Sequence, residues 1–424
     1  MIKNIDAFGK NVIFVFLGMS LVNIFNLLYQ LLIAHRFSPA DFAAFNSMLS
    51  IYLIVSMSLG TVQVALAKYT AEFNAHNQTK KIRFLLSSLL KKTTLFALLT
   101  LIIFYFASSY LIDKLKITSV ASGYILAILL ALSWVIPVLF GGIQGLELFK
   151  WLPSIQVISG VIKLILAFLF ILFGFNIAGA LGALLIANII ALVISYIPLK
   201  NFISSRFEKE EVNLKEFFVF LYPVAISTFC FIVLVNSDMI LVKYFFAREE
   251  AGVYSIAQMV GKIFLFLPWA VGIVMFPRVS GLNAKNMDTA PTLYRSLFYV
   301  TILCVIACLG YNAFPALTLK ILTGKVPYGS IFLARLFSIS MSFFTLSYIL
   351  ITYFLSKRDL RFVRYLASFT LLQVSAIVLF HRNLVQVQLI LCLNAILLFL
   401  IQLFLVYKKE HKGLSPKGTV PVEQ

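Results

Sequence analysis

The sequence predicts an all-α integral membrane protein whose twelve transmembrane helices form two parallel six-helix repeats. Three observations carry that expectation. The chain is 61% hydrophobic and only 12% charged over 424 residues, too little polar surface to cover a soluble globule of this length. Apolar runs of about 20 residues, each long enough to cross a bilayer core as a helix, recur almost from end to end. One stretch occurs twice: Tyr29–Ser50 reads YQLLIAHRFSPADFAAFNSMLS, and 209 residues later Asp238–Met259 reads DMILVKYFFAREEAGVYSIAQM.

Laid over each other without a gap, the two copies place Phe37 on Phe246, Asp41 on Glu250, Ala43 on Gly252 and Phe45 on Tyr254. The offset is close to half of the chain, so a duplicated unit is the simplest reading. The expected spans of the first unit are roughly 12–34, 43–67, 93–111, 121–141, 154–174 and 177–197. Those of the second are 217–240, 251–276, 297–317, 331–355, 362–380 and 387–407. The first run is too long for a signal-peptide core and lacks a small-residue cleavage site, so it counts as a retained span. The expected domains are an N-terminal bundle over 1–197, a polar linker over 198–216 containing Glu208–Glu211, a C-terminal bundle over 217–407 and a basic tail over 408–424.

The net charge of +19 invites a nucleic-acid reading, which the distribution of the basic residues opposes. With the amino terminus inside, twenty-four of the 35 Lys and Arg fall in inner loops and termini, eight in outer loops and three within spans. Both termini are therefore expected on the cytoplasmic side, and most of the charge faces anionic lipid headgroups. An even number of spans per unit makes the repeats parallel, with a substrate path expected between them. All four cysteines (Cys230, Cys304, Cys308, Cys392) lie in apolar runs, where reduced Cys behaves as a small hydrophobe. His35, His76, His381 and His411 are scattered, so no metal site is expected. There is no phosphate-cradling Gly loop, no cluster of His and acid, and no extramembrane loop long enough to fold as a catalytic domain.

The three basic residues within spans are Lys163, Lys262 and Arg335. A charge at mid-bilayer costs about 2.5–3.5 kcal/mol on insertion scales, so such residues usually face a cavity or a partner. No central acid is available to pair with them. A cavity of uncompensated positive charge suits a polyanionic headgroup and repels a cationic drug. Asn23, Asn26 and Gln30 share one face of the first span. That face is either a polar cavity wall suited to sugar hydroxyls or a set of helix-to-helix hydrogen bonds. Gln63, Asn188, Asn236 and Gln258 are weaker candidates of the same kind. Pro137, Pro223, Pro268 and Pro315 interrupt spans, as hinges or as static kinks.

AHRFSPADFAAFNSM, SDMILVKYFFAREEAGVYSIAQMV, MFPRVS and GIQGLELFK resemble the polysaccharide biosynthesis proteins, the lipid-linked oligosaccharide flippases of the multidrug, oligosaccharidyl-lipid and polysaccharide (MOP) exporter superfamily. The family's seventh-helix aspartate falls on Asp238, its Gly and Tyr on Gly252 and Tyr254, and its Pro and Arg on Pro277 and Arg278. Ala43 departs from the Gly usual in the first half. The resemblance implies a V-shaped arrangement of two bundles, like that of the multidrug and toxin exporters, alternating between inward- and outward-open states in a prokaryotic inner membrane. It implies transport of undecaprenyl-diphosphate-linked glycan to the outer leaflet for a surface polysaccharide such as O-antigen, with no cofactor beyond a coupling H+ or Na+. A polysaccharide polymerase and a chain-length regulator are the implied protein partners. Lys262, Lys163, Arg335 and Arg36 would then meet the headgroup and Asn23, Asn26 and Gln30 the sugars, while Asp238, Gly252 and Pro223 would be structural or gating. Two alternatives compete. A cation-coupled drug exporter needs acids within its lobes, and the first six expected spans have none; a glycan polymerase or ligase needs a large outer loop, and the outer loops are short.

Overall fold

The structure is a computed structural model that describes residues 7–203, 214–265, 269–285 and 287–413. Fourteen helices run through these residues: α1 Ala7–Arg36, α2 Pro39–Ala75, α3 Thr79–Lys114, α4 Val120–Gly145, α5 Trp151–Leu172, α6 Asn176–Ile203, α7 Leu214–Phe245, α8 Arg248–Phe264, α9 Trp269–Ala284, α10 Ala290–Ala313, α11 Pro315–Thr323, α12 Ser330–Ser356, α13 Arg361–Leu379 and α14 Leu384–Gly413. Eleven of them are long and apolar enough to span a bilayer. The protein is thus a multi-pass helical membrane protein, and its many exposed Leu, Ile and Phe side chains are what a lipid-facing surface requires.

The eighth expected span is described as two helices, α8 and α9. Residues 266–268 between them, Pro268 included, lie outside the described residues. The last carbonyls of a helix need donors, and at the end of α8 Thr345 Oγ1 of α12 supplies one to the Phe264 carbonyl at 3.1 Å. The third span starts at Thr79 rather than Thr93, because Ile82, Leu85, Leu86 and Leu89 bury one face of a basic first third whose hydropathy is too low to read as membrane. The expected linker is shorter by the last turns of α6, which continues through Pro198 to Ile203. Glu208–Glu211 and residues 414–424 lie outside the described residues.

The duplicated stretch folds the same way twice. Ser38 caps α2: its Oγ accepts from the Asp41 amide at 3.1 Å and donates to Asp41 Oδ2 at 2.8 Å. At the equivalent place, Glu250 Oε2 accepts from the Ala247 amide at 3.2 Å. The acid common to both copies is therefore a helix-start residue that opposes the positive helix end: Glu250 satisfies an orphan amide itself, and Asp41 accepts from the Ser38 hydroxyl that does so. The turn before it matches as well, with Phe37 N donating to Ile33 O at 2.9 Å and Phe246 N to Val242 O at 3.0 Å. Ends of helices repeat too: Glu147 after α4 and Arg358 after α12 both take the left-handed conformation (φ 57° and 53°), each inside the same pair of reversed bonds.

Contacts divide the chain into two compact units, Met1–Ile256 with Leu319–Pro327, and Ala257–Thr318 with Tyr328–Gln424. In the first, α4 is central, packed by α2, α3 and α6. Gly141 and Gly145 of α4 let the α2 backbone approach: a Cβ at Gly141 would lie 2.8 Å from Gln63 O, and one at Gly145 2.7 Å from Ala67 O. Small residues four apart are how membrane helices come this close. Ala65, Leu66, Leu85, Leu86, Val138 and Ile143 form the core beside this contact. In the second unit α12 holds the matching place, packed by α9, α10 and α14. Two-thirds of the most apolar stretch of α4 and of α12 is buried, far more than in any other span, so the fourth span of each half is its centre.

Candidate functional site

In the first unit two of the sequence-expected polar residues, Lys163 and Asn26, meet. The Lys163 side chain is 8% exposed and projects from α5 toward α1. Glycines permit that closeness: a Cβ at Gly18 of α1 would fall 2.6 Å from Pro153 Cβ, and one at Gly160 of α5 3.2 Å from Phe25 Cβ. The Lys163 ammonium donates to Asn26 Oδ1 and stands 4.7 Å from the centre of the Tyr29 ring. Tyr29 is fixed in turn, because its hydroxyl donates to the Ala180 carbonyl of α6 at 2.8 Å and its ring meets Phe45 edge-on. Asn188 of α6 donates to the Tyr52 hydroxyl of α2 at 3.3 Å. Four helices thus bring polar groups into one place.

No carboxylate among the described residues pairs with Lys163. Asn26 gives it one neutral acceptor and Tyr29 a ring face, worth about 2 kcal/mol to a desolvated cation. That offsets part of the cost of burial and leaves the charge free to attract an anion. Among its expected companions, Gln30 is half-buried, while Asn23 and Arg36, the latter the last residue of α1, are exposed and stand outside this cluster of contacts. Gln63 is used elsewhere, donating to Gln144 Oε1 at 3.0 Å. Asn236 bonds its own helix at Ile232 O, which accounts for it structurally. Tyr29 and Tyr52 are absent from the sequence-derived site. The available signal was Tyr29's spacing of three from Asn26, on the face already marked as polar.

In the second unit Lys262 is half-buried in the last turn of α8. A cation at that place meets the negative end of a helix dipole, so the end of α8 helps to accommodate it. Arg335 is exposed on the second turn of α12, on a different helix from Lys262. Pro223 is half-buried inside α7.

At the end of α7, Asp238 is fully buried and its Oδ2 accepts from the Tyr254 hydroxyl at 2.9 Å. By the repeat, Asp238 answers to Tyr29 and Tyr254 to Phe45, and those two rings touch at 6.0 Å. One packing contact is therefore aromatic in the first half and a charge-assisted hydrogen bond in the second. Gly252 begins α8 against the start of α2, where a Cβ would lie 2.8 Å from the Pro39 carbonyl carbon. No group of three His, Cys, Asp or Glu among the described residues could hold a metal ion.

The family model described as polysaccharide biosynthesis protein matches residues 8–283. None of the curated proteins matches the sequence. Among solved structures, the chain is similar to an inward-facing multidrug resistance MATE family transporter of the MOP superfamily, at 13% identity and TM-score 0.75 over 95% of this chain and all of the other. It is similar to the lipid II flippase MurJ in an inward closed conformation, at 15% identity and TM-score 0.72 over 93% of this chain and 87% of the other. An outward-facing MATE family transporter gives 16% identity and TM-score 0.61 over 98% of both chains. These likenesses establish the fold.

Proposed function

The chain belongs to the family of polysaccharide biosynthesis proteins in the MOP superfamily, and on that premise we propose that it is a flippase. It carries undecaprenyl-diphosphate-linked oligosaccharide from the cytoplasmic to the outer leaflet by alternating access, for surface polysaccharide assembly. The observation that carries this reading is Lys163: a buried cation held by Asn26 and Tyr29, with no acid among the described residues to neutralise it. A diphosphate is the ligand such a group is suited to attract, and the family supplies the lipid that bears one.

In this reading Lys163 binds the diphosphate, with Lys262, Arg335 and Arg36 meeting it elsewhere on its path, while Asn23, Asn26 and Gln30 serve the sugar hydroxyls. The bundles over 1–197 and 217–407 move as the two lobes, joined by 198–216. Asp238 and Gly252 keep the turn between α7 and α8 in shape for gating, and Pro223 supplies a bend in α7. Both termini are cytoplasmic in a prokaryotic inner membrane, by the bias of Lys and Arg toward the even-numbered loops. The lipid substrate is handed to a polysaccharide polymerase and a chain-length regulator.

Complementation tests the proposal. A strain lacking its own glycan flippase is given the wild-type gene, Lys163→Met or Lys262→Met, with membrane levels checked by blot. Recovery of surface polysaccharide by the wild type and its loss in well-expressed Lys163→Met are expected. Full activity in Lys163→Met would overturn the role given to that residue, and failure of the wild type across a broad set of glycans would overturn the flippase.

A further inference from the structure

The repeat offset of 209 appears in the structure as a single hydrogen bond. Asn46 Nδ2 donates to Ser255 Oγ at 2.8 Å, both side chains are buried, and the two residues are equivalent members of the two copies. Equivalent residues can touch only near the axis that relates the copies, as in an isologous interface. That axis passes where the start of α2 meets the start of α8, at the pole that also holds the ends of α1, α3, α7 and α11.

Two lysines flank the axis at this pole. Lys116, just past α3, reaches from the first copy to the second and donates to the Phe246 carbonyl at 2.6 Å. Lys325, just past α11, reaches the other way: it donates to the carbonyls of Ala34 at 2.9 Å, His35 at 3.3 Å and Phe37. Lys116 and Lys325 are separated by 209 residues, and so are Phe37 and Phe246. Each lysine thus caps the carbonyl end of the other copy's first helix, where orphan acceptors and the negative end of the helix dipole coincide. Gly324 brings Lys325 into place with a left-handed turn (φ 68°), where a Cβ would lie 2.9 Å from the His35 ring. Burial pushes the Lys325 ammonium below its ordinary pKa, the expected effect of drawing it from water onto these carbonyls.

We propose that Lys116 and Lys325 are reciprocal latches that hold this pole closed, each clamping the first helix of the opposite half by its carbonyl end. The pair does not bind cargo. It opposes the opening of this pole, and both members must release for the axial Asn46–Ser255 contact to part. The inference rests on the alternating-access reading, but not on the identity of what is carried.

The test reads exposure of the axis. Ser255→Cys is placed in a protein whose four native cysteines are Ala, and labelling by a membrane-impermeant maleimide is followed in sealed vesicles of both orientations, without substrate. Lys116→Met and Lys325→Met are each expected to raise the labelling rate about tenfold and the double variant about a hundredfold, from one face only, given hydrogen bonds from charged donors and additive independent sites. Lys116→Arg and Lys325→Arg, which still donate, are expected to stay near the parent rate. Parent-like labelling of the double variant overturns the latch. So does an equal rise in the Met and Arg variants, or a rise from both faces, since either reports general loosening. If labelling behaves as expected while the protein complements no glycan flippase, the latch stands and the cargo assignment falls.

Discussion

Replacing Lys163 by Met keeps the length of the side chain and removes its charge, which makes the substitution informative in two opposite directions. Unit charges about 4 Å apart attract by about 4 kcal/mol at an effective dielectric of about 20. Turning the ammonium from Asn26 Oδ1 to a phosphate gives up a charge-assisted hydrogen bond of about 1.5–3 kcal/mol. About 2 kcal/mol is left, or roughly 30-fold in affinity. Without ligand the sign reverses: an apolar side chain in place of a buried cation that lacks an acid is neutral or stabilising, by about 1–4 kcal/mol in the range seen for buried ion replacements. Purified Lys163→Met should therefore bind a soluble prenyl diphosphate about 30-fold more weakly, by titration calorimetry, while melting at the same or a higher temperature. An affinity within twofold of wild type would refute the argument. So would weakened binding accompanied by a clear fall in melting temperature, since Lys163 would then be holding α1 to α5.

Gly252→Ala puts a methyl 2.8 Å from the Pro39 carbonyl carbon, and overpacking of that kind costs about 1–3 kcal/mol; melting should fall, and Cys at 255 should label faster. Tyr254→Phe removes the donor to buried Asp238 Oδ2 and should cost about 1.5–3 kcal/mol, while Asp238→Asn, whose amide oxygen still accepts, should cost less; thermal melts of the two variants check the order. Gly145→Leu drives a side chain into Thr70 and the Ala67 carbonyl, 2.5 and 2.7 Å from its Cβ, and should lose about 3 kcal/mol, visible as loss of the monodisperse peak in size exclusion.

The duplication was legible because the turn chemistry is local. Phe37 and Phe246 close the preceding helix, and Asp41 and Glu250 sit at the next helix start, so spacing alone aligns them. Helix locations followed from hydropathy except where a tertiary partner decided the outcome. The end of α8 at Phe264 was not readable, because the donor to its carbonyl, Thr345, lies 81 residues away. The early start of α3 escaped notice because Lys80, Lys81 and Arg83 mask the helical spacing of Ile82, Leu85, Leu86 and Leu89. At the site, the charge of Lys163 and the polarity of Asn26 were readable, but their meeting was not, because it needs Gly18 and Gly160 to bring α1 onto α5. Tyr29 was hidden as one aromatic among many. The lysine pair was visible only as scattered loop charge until Phe246 and Phe37 identified what each one caps.

The most direct measurement is leaflet exchange in proteoliposomes. Undecaprenyl-diphosphate-linked oligosaccharide with a labelled terminal sugar is incorporated, and its accessibility to an external sugar-specific probe is followed with wild type and with Lys163→Met. Exchange at least tenfold faster than in protein-free vesicles, reduced to that background by Lys163→Met, is the predicted result. No acceleration for any diphosphate-linked glycan, together with export of a cationic dye driven by an ion gradient, would contradict it.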